Sequence, residues 1–218
     1  MSLKINELAP NFTAQTTEGE LNFHEWIGDG YAVLFSHPKD FTPVCTTELG
    51  EVARLQGEFA RRGAKVIGLS VDPVERHLRW KDDIAAVTGA DVRYPLIADT
   101  ALTVAKLYGM LPASLEGTAE GRTAADNATV RTVFIIGPDK RVKLSLTYPM
   151  TTGRNFNELL RALDSIILTS SAPVATPAGW RPGEDVIVST AVSTEDARAR
   201  FGEVREELPY LRWTPQPR

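Results

Sequence analysis

The chain has a single cysteine, Cys45, among 218 residues. It can therefore close no internal disulfide and build no multi-cysteine zinc site, which excludes disulfide-stapled secreted scaffolds and most structural zinc modules. Histidine is nearly as scarce. His24, His37 and His77 show no ligand-like spacing, and no metal is expected. There is no positive excess either: 24 Lys plus Arg against 28 Asp plus Glu leave a net charge of -4, so a nucleic-acid partner is not expected. No run approaches the roughly 20 apolar residues of a membrane span. The opening Met1-Ser2-Leu3-Lys4-Ile5-Asn6-Glu7 lacks the apolar core of a signal peptide, and a cytoplasmic location is expected.

What is present suffices for a folded core without staples. At roughly 150 residues per domain the length fits one domain plus an extension, and 43% of the residues are hydrophobic. Asn11–Ala14 and Leu21–Phe23 flank a turn at Glu18-Gly19 and read as short strands. Tyr31–Phe35 and Val66–Val71 are continuous apolar runs, as in strands buried on both faces. Between them Leu49, Val52, Leu55 and Phe59 recur at helical spacing and Gly63 supplies a stop, which makes a βαβ unit with parallel strands. Asp72-Pro73-Val74-Glu75 reads as a capped helix start, with Asp72 as the cap. A strand at 94–99 and a helix at 102–107 follow. Residues 112–129 have no apolar period and are expected to form an exposed, mobile loop. Val130–Ile136 and Val142–Tyr148 then make a hairpin around Gly137-Pro138-Asp139, and a helix with the stripe Phe156, Leu159, Leu160, Leu163, Ile166 and Ile167 comes after it. Alternation ending in a hairpin predicts an α/β fold with a mixed sheet and helices on both faces. From Ser170 prolines and glycines dominate. They lead into a small module of one short strand (186–189), one helix (194–201) and an aromatic end.

The chemistry gathers where the first buried strand turns into its helix. His37-Pro38-Lys39-Asp40-Phe41-Thr42-Pro43-Val44-Cys45 places the thiol in the first helical turn, where unpaired N–H groups and the helix dipole favour an anion. Thr42 stands where its hydroxyl can cap the helix or reach the sulfur, and Pro43 suits the first helical position. A lone cysteine is more often a small buried hydrophobe than a nucleophile. A helix N-terminus at the carboxyl end of a sheet, behind a proline-bracketed loop, reverses that preference.

Pro38-x-x-x-Thr42-x-x-Cys45 resembles the active-site motif of the peroxiredoxins, and Ser36–Gly50 resembles their one-cysteine branch. Arg131, the run Tyr148-Pro149-x-Thr151-Thr152-Gly153-Arg154 and the segment Val174-Ala175-Thr176-Pro177 with Trp180 extend the resemblance over nearly the whole chain. It implies a thioredoxin-like domain over 1–169 and a C-terminal dimerisation arm over 170–218. It further implies a thiol-dependent peroxidase that reduces hydrogen peroxide and organic hydroperoxides through a Cys45 sulfenic acid. Thr42 and Arg131 would be donors to the peroxide oxygens, Pro38 would shield the thiolate, and His37, Glu48 and Arg154 would line or brace the pocket. With no second cysteine an external thiol must reduce the sulfenic acid. No cofactor is implied, and the usual assembly would be a homodimer, with larger rings in some members. A non-enzymatic alternative, a peroxide sensor or holdase relaying oxidation to a partner, would use the same thiolate.

Met150 departs from the usual small residue of such proteins and is expected to narrow the pocket. Some members of the branch also carry a Gly-x-Ser-x-Gly lipase segment. Here Gly28-Asp29-Gly30 stands in its place without the serine, so His24 and Asp139 would have no nucleophile to serve.

Overall fold

The computed structural model describes residues 3–113 and 128–217. The expected loop at 112–129 lies, for 114–127, outside the described residues. The chain divides into two units, Met1–Phe156 and Asn157–Arg218.

The first unit is built on a seven-stranded sheet in the order β2-β1-β5-β4-β3-β6-β7. Its strands are β1 (Thr13–Thr16), β2 (Gly19–Asn22), β3 (Tyr31–Ser36), β4 (Ala64–Ser70), β5 (Leu96–Ala98), β6 (Arg131–Ile136) and β7 (Val142–Tyr148). β3, β4 and β5 are mutually parallel, whereas β6 lies antiparallel to β3 with Phe35 opposite Val133, and β7 closes a hairpin on β6. The sheet is mixed, as the alternation predicts. The apolar runs of β3 and β4 are buried because both faces of the sheet are covered. On one side Leu34, Ile67, Leu69, Ile97 and Phe134 join a core with Phe12, Phe23, Ile27 and Tyr108. Phe35, next along β3 and so on the other face, packs edge-on against Tyr94 and Phe156.

Helices α1 (Phe23–Ile27), α2 (Pro43–Arg61), α3 (Val74–Thr88) and α4 (Thr103–Leu107) fill the crossovers. α1 replaces the end of the second expected strand: Phe23 starts a helical turn because the Asn22 side chain accepts the N–H of Glu25 and caps it. α2 ends as expected, with Gly63 in the left-handed region just beyond it. The start of α3 differs from expectation. Pro73 is its cap residue and Asp72 lies outside, because the Asp72 carboxylate is engaged by the Asp40 N–H, the Ser70 hydroxyl and the Arg76 guanidinium.

Helix α5 (Phe156–Ser171) leads through the second unit, which has its own four-stranded sheet in the order β10-β11-β9-β8. The strands are β8 (Val174–Ala175), β9 (Val186–Val188), β10 (Arg205–Leu208) and β11 (Leu211–Thr214), with α6 (Thr194–Phe201) between β9 and β10. Trp180 is buried among Leu168, Val174 and Val186, its indole N–H donating to the Glu184 carbonyl. Sequence pattern predicts β9 and α6. It passes over β8, which has two residues, and β10, whose four residues are all exposed.

Candidate active site

The site forms where β3 ends and α2 begins. Thr42 is extended (φ -124°, ψ 145°) and is the N-cap residue of α2, Pro43 follows, and Cys45 is fully buried in the first turn. The Thr42 hydroxyl does not cap the helix: it donates to the Lys39 carbonyl at 2.8 Å and so tightens the loop. With its proton directed there, what Thr42 can offer a ligand is oxygen lone pairs. Pro38 is buried, as a shield against water requires. Phe41 takes a left-handed conformation (φ 57°), which a non-glycine residue holds only where its surroundings enforce it. Its half-exposed ring lies under the Arg76 guanidinium at 4.9 Å.

Arg131 reaches the thiol from the neighbouring strand. The Ser36 hydroxyl donates to the Val130 carbonyl at 2.6 Å and accepts the Thr132 N–H at 3.2 Å, stitching the start of β6 to the end of β3. The residue between, Arg131, is thereby aimed at α2. Its Nη1 lies 3.4 Å from Cys45 Sγ and 2.5 Å from Glu48 Oε2, and its Nε donates to the Met150 carbonyl at 2.8 Å. Met150 thus contributes through its backbone, and its side chain is more than one-third exposed, at 37%.

Glu48, three residues after Cys45 and so on the same face of α2, gathers a second guanidinium. Arg154 donates from its backbone N and Nε to Oε1 (2.8 and 2.9 Å) and from Nη2 to Oε2 (2.8 Å), while its Nη1 donates to the Thr132 carbonyl at 3.1 Å. All three charged groups are buried. Burial alone would raise the Glu48 pKa, but the hydrogen bonds and charge of Arg154, with the charge of Arg131, outweigh it and hold the carboxyl below its ordinary value. Among these three side chains, two guanidiniums and one carboxylate leave one positive charge beside the buried sulfur. A thiolate at Cys45 neutralises it.

The loop is anchored on its inner side by a pair of histidines that sequence spacing keeps apart. His37 Nε2 meets Asp40 Oδ1 at 2.9 Å and His77 Nδ1, from the first turn of α3, meets Asp40 Oδ2 at 2.6 Å. His37 and His77 have no ligand-like spacing in sequence, yet α3 brings His77 over the loop, a relation no local pattern encodes. One ligand atom from each of His37, Asp40 and His77 lies within 4.8 Å of the others, close enough to converge on a divalent ion. The observed separations are those of direct hydrogen bonds. Burial lowers the His37 pKa and keeps the ring neutral, whereas the two imidazoles overcome burial at Asp40 and bring its carboxyl down to about 2. His37 also fixes the backbone, donating its N–H to the Leu69 carbonyl and accepting the Thr129 hydroxyl.

Cys45, Arg131, Glu48 and Arg154 therefore share direct contacts, and Pro38, Thr42 and His37 belong to the loop that encloses them. Asp40 and His77 were not anticipated. A buried thiol facing a guanidinium, with one surplus positive charge, is equipped for nucleophilic attack on an electron-poor oxygen.

Comparison with known proteins agrees with that chemistry. Residues 5–145 match the AhpC/TSA family, and residues 168–203 match the C-terminal domain of 1-Cys peroxiredoxin. The chain is 49% identical to peroxiredoxin-6 of Rattus norvegicus, covering 99% of this chain and 98% of that protein. It is 48% identical to the mitochondrial peroxiredoxin PRX1 of Saccharomyces cerevisiae, covering 97% and 80% respectively. Among solved structures, the peroxiredoxin 6 of Arenicola marina superposes with a TM-score of 0.90 at 47% identity over the whole of both chains. A yeast mitochondrial 1-Cys peroxiredoxin gives 0.88 at 47% identity, covering 98% of this chain and 99% of that one. The fold is that of the peroxiredoxins, thioredoxin-like with a C-terminal sheet region. The chain belongs to the AhpC/TSA family, in its one-cysteine peroxiredoxin branch, and is a thiol peroxidase.

Proposed function

We propose that Cys45 is the peroxidatic residue and that Arg131, Glu48 and Arg154 form the electrostatic frame in which it works. The observation that carries this is the Arg131 Nη1 to Sγ distance of 3.4 Å inside a buried cluster with one surplus positive charge. The Cys45 thiolate attacks the terminal oxygen of a hydroperoxide: an S–O bond forms, the O–O bond breaks, and the leaving oxygen departs as water or an alcohol once it takes a proton. Negative charge moves from sulfur onto both peroxide oxygens, and a fixed guanidinium stabilises that distribution more than it stabilises the ground state. Thr42, its proton on Lys39, accepts the peroxide O–H and orients it. Pro38 and the loop keep water out.

The resulting sulfenic acid is reduced in two steps by an external thiol. The first thiol forms a mixed disulfide and releases water, and the second displaces Cys45 as thiol and leaves with the first as an external disulfide. A solved yeast mitochondrial relative is described as resolving its thiol through glutathione/thioredoxin systems, and a reductant of that kind suits this chain. Such chemistry needs a thiol-rich compartment, which supports a cytoplasmic location. No helix among the described residues is long and apolar enough to cross a membrane. A homodimer is the assembly we favour, supported by the exposed Leu208 and Tyr210 in the second unit, apolar surface that a partner could cover.

Stopped-flow consumption of hydrogen peroxide with excess small thiol tests the reading. Wild type is expected to turn over many times and Cys45→Ser not at all. A single stoichiometric oxidation under every reductant tried would replace the peroxidase with a sensor that relays oxidation to a partner.

A further inference from the structure

The mechanism leaves one buried group without a task. His37, Asp40 and His77 have at most 1% exposure, yet among the described residues His37 Nδ1 has no hydrogen-bond partner. Folded proteins rarely keep a buried polar atom unpaired.

Counting hydrogens assigns the states of the three side chains. His77 Nε2 faces the Ile97 carbonyl at 3.1 Å, and a carbonyl can only accept. His77 Nδ1 faces the Asp40 carboxylate at 2.6 Å, which also only accepts while ionised. Both nitrogens of His77 therefore carry hydrogen, the ring is an imidazolium, and its charge cancels that of Asp40. The other carboxylate oxygen takes the Nε2–H of His37 at 2.9 Å. That leaves His37 neutral, with its lone pair on Nδ1. The ring is held in place by Trp80, at 5.3 Å between centroids, whose indole N–H donates to Thr46 Oγ1 beside Cys45.

We propose that Asp40 and His77 are positioning residues for the peroxidase reaction: their buried ion pair locks His37 in the Nε2–H tautomer and keeps an acceptor nitrogen, rather than a donor, at the base of the Pro38–Thr42 loop. The inference rests on the peroxidase reading of the same site. It extends that reading to a second layer, Asp40 in the loop and His77 on α3, whose described contacts do not include the thiol. Were His37 doubly protonated, it would add a second cation near Arg154 and lose the lone pair. Among the described residues the charged groups around the pair are Arg154, which acts on His37 through space, and Asp72 with Arg76, which hold the Asp40 backbone from the other side.

With three histidines in the chain, imidazole nitrogen NMR can be assigned by single substitutions. In the wild type at neutral pH, His77 is expected to show two protonated nitrogens and His37 an unprotonated Nδ1. In Asp40→Asn, His77 loses one proton and the rate of Cys45 oxidation falls about tenfold or more, the scale on which misplaced reacting groups act. His77→Gln keeps a hydrogen-bond donor but removes the cation that helps hold His37 neutral. Its acid limb of the oxidation rate against pH therefore moves to higher pH, an effect that mere loosening of the fold does not produce. A neutral His77 in the wild type, or an acid limb unmoved in His77→Gln, overturns the proposal. The NMR assignment is independent of turnover, so a wild type that shows these tautomers yet fails to consume peroxide sinks the peroxidase reading instead.

Discussion

At the scale of single residues the site is a matter of charge and forked geometry. Arg131 serves a sulfur, a carboxylate and a carbonyl at once, from Nη1 and Nε. A lysine carries the same charge on one nitrogen and cannot hold that arrangement. Arg131→Lys is therefore expected to slow Cys45 oxidation by about tenfold, and Arg131→Met by about 100-fold or more, in single-turnover measurements. Acid stability should fall in two stages. The lowered His37 pKa means the unfolded chain takes up that proton first, so stability begins to drop as pH falls below 6.5. Asp40 and Glu48, also lowered, add their loss below the ordinary carboxylate range. Asp40, down to about 2 from 3.8, contributes on the order of 2 kcal/mol that is present at neutral pH and vanishes as its carboxyl protonates. Urea midpoints measured across that range would show both stages. A single transition confined below pH 4 would contradict the assignment of a neutral, buried His37.

At the scale of elements the catalytic frame depends on how closely α2 can approach α3. A Cβ added at Gly50 would lie 2.4 Å from Thr88 Cγ2 and 2.6 Å from Thr88 Cβ. The Thr88 hydroxyl is tied to the Ile84 carbonyl, so the side chain is not free to swing away. Gly50→Ala gains about 1 kcal/mol of helix propensity and loses about 1–3 kcal/mol to overpacking. It should lower the urea midpoint at unchanged slope, and Thr88→Ala should recover only part of the loss, because the Cβ of residue 88 stays 2.6 Å away. Local pattern made β3, α2 and β4 legible, because each has enough residues for its periodicity to show. It made Cys45, Pro38 and Thr42 legible because they lie within eight consecutive residues, in the loop and first turn that open α2. Arg131 and Arg154 came only from family resemblance, since Arg131 stands 86 positions from Cys45 in sequence and is delivered to it by the β3–β6 pairing. Asp40 and His77 had no signal at all. The Asp72 cap misled because a buried backbone N–H outbids a helix end that water can reach. β10 has no pattern of its own, being exposed throughout and held by its partner β11.

At the scale of the whole molecule two units share one chain, and the second leaves Leu208 and Tyr210 exposed. Light scattering is expected to give twice 23.9 kDa, and a monomer at micromolar concentration would remove the homodimer from the reading. The complete burial of Cys45 also bears on time. A hydroperoxide presents two small oxygens to the pocket, whereas a reducing thiol must bring sulfur to sulfur along the axis of a bond that is about to break. The two halves of the catalytic cycle therefore have different clocks. Oxidation runs at the rate of encounter and chemistry in a closed pocket. Reduction waits until the first turn of α2 and its loop loosen, so solvent viscosity, temperature and anything that stiffens the loop should retard it selectively. During that wait a second peroxide can still enter, which makes the firmness of the pocket a determinant of how often the enzyme is lost to its own substrate.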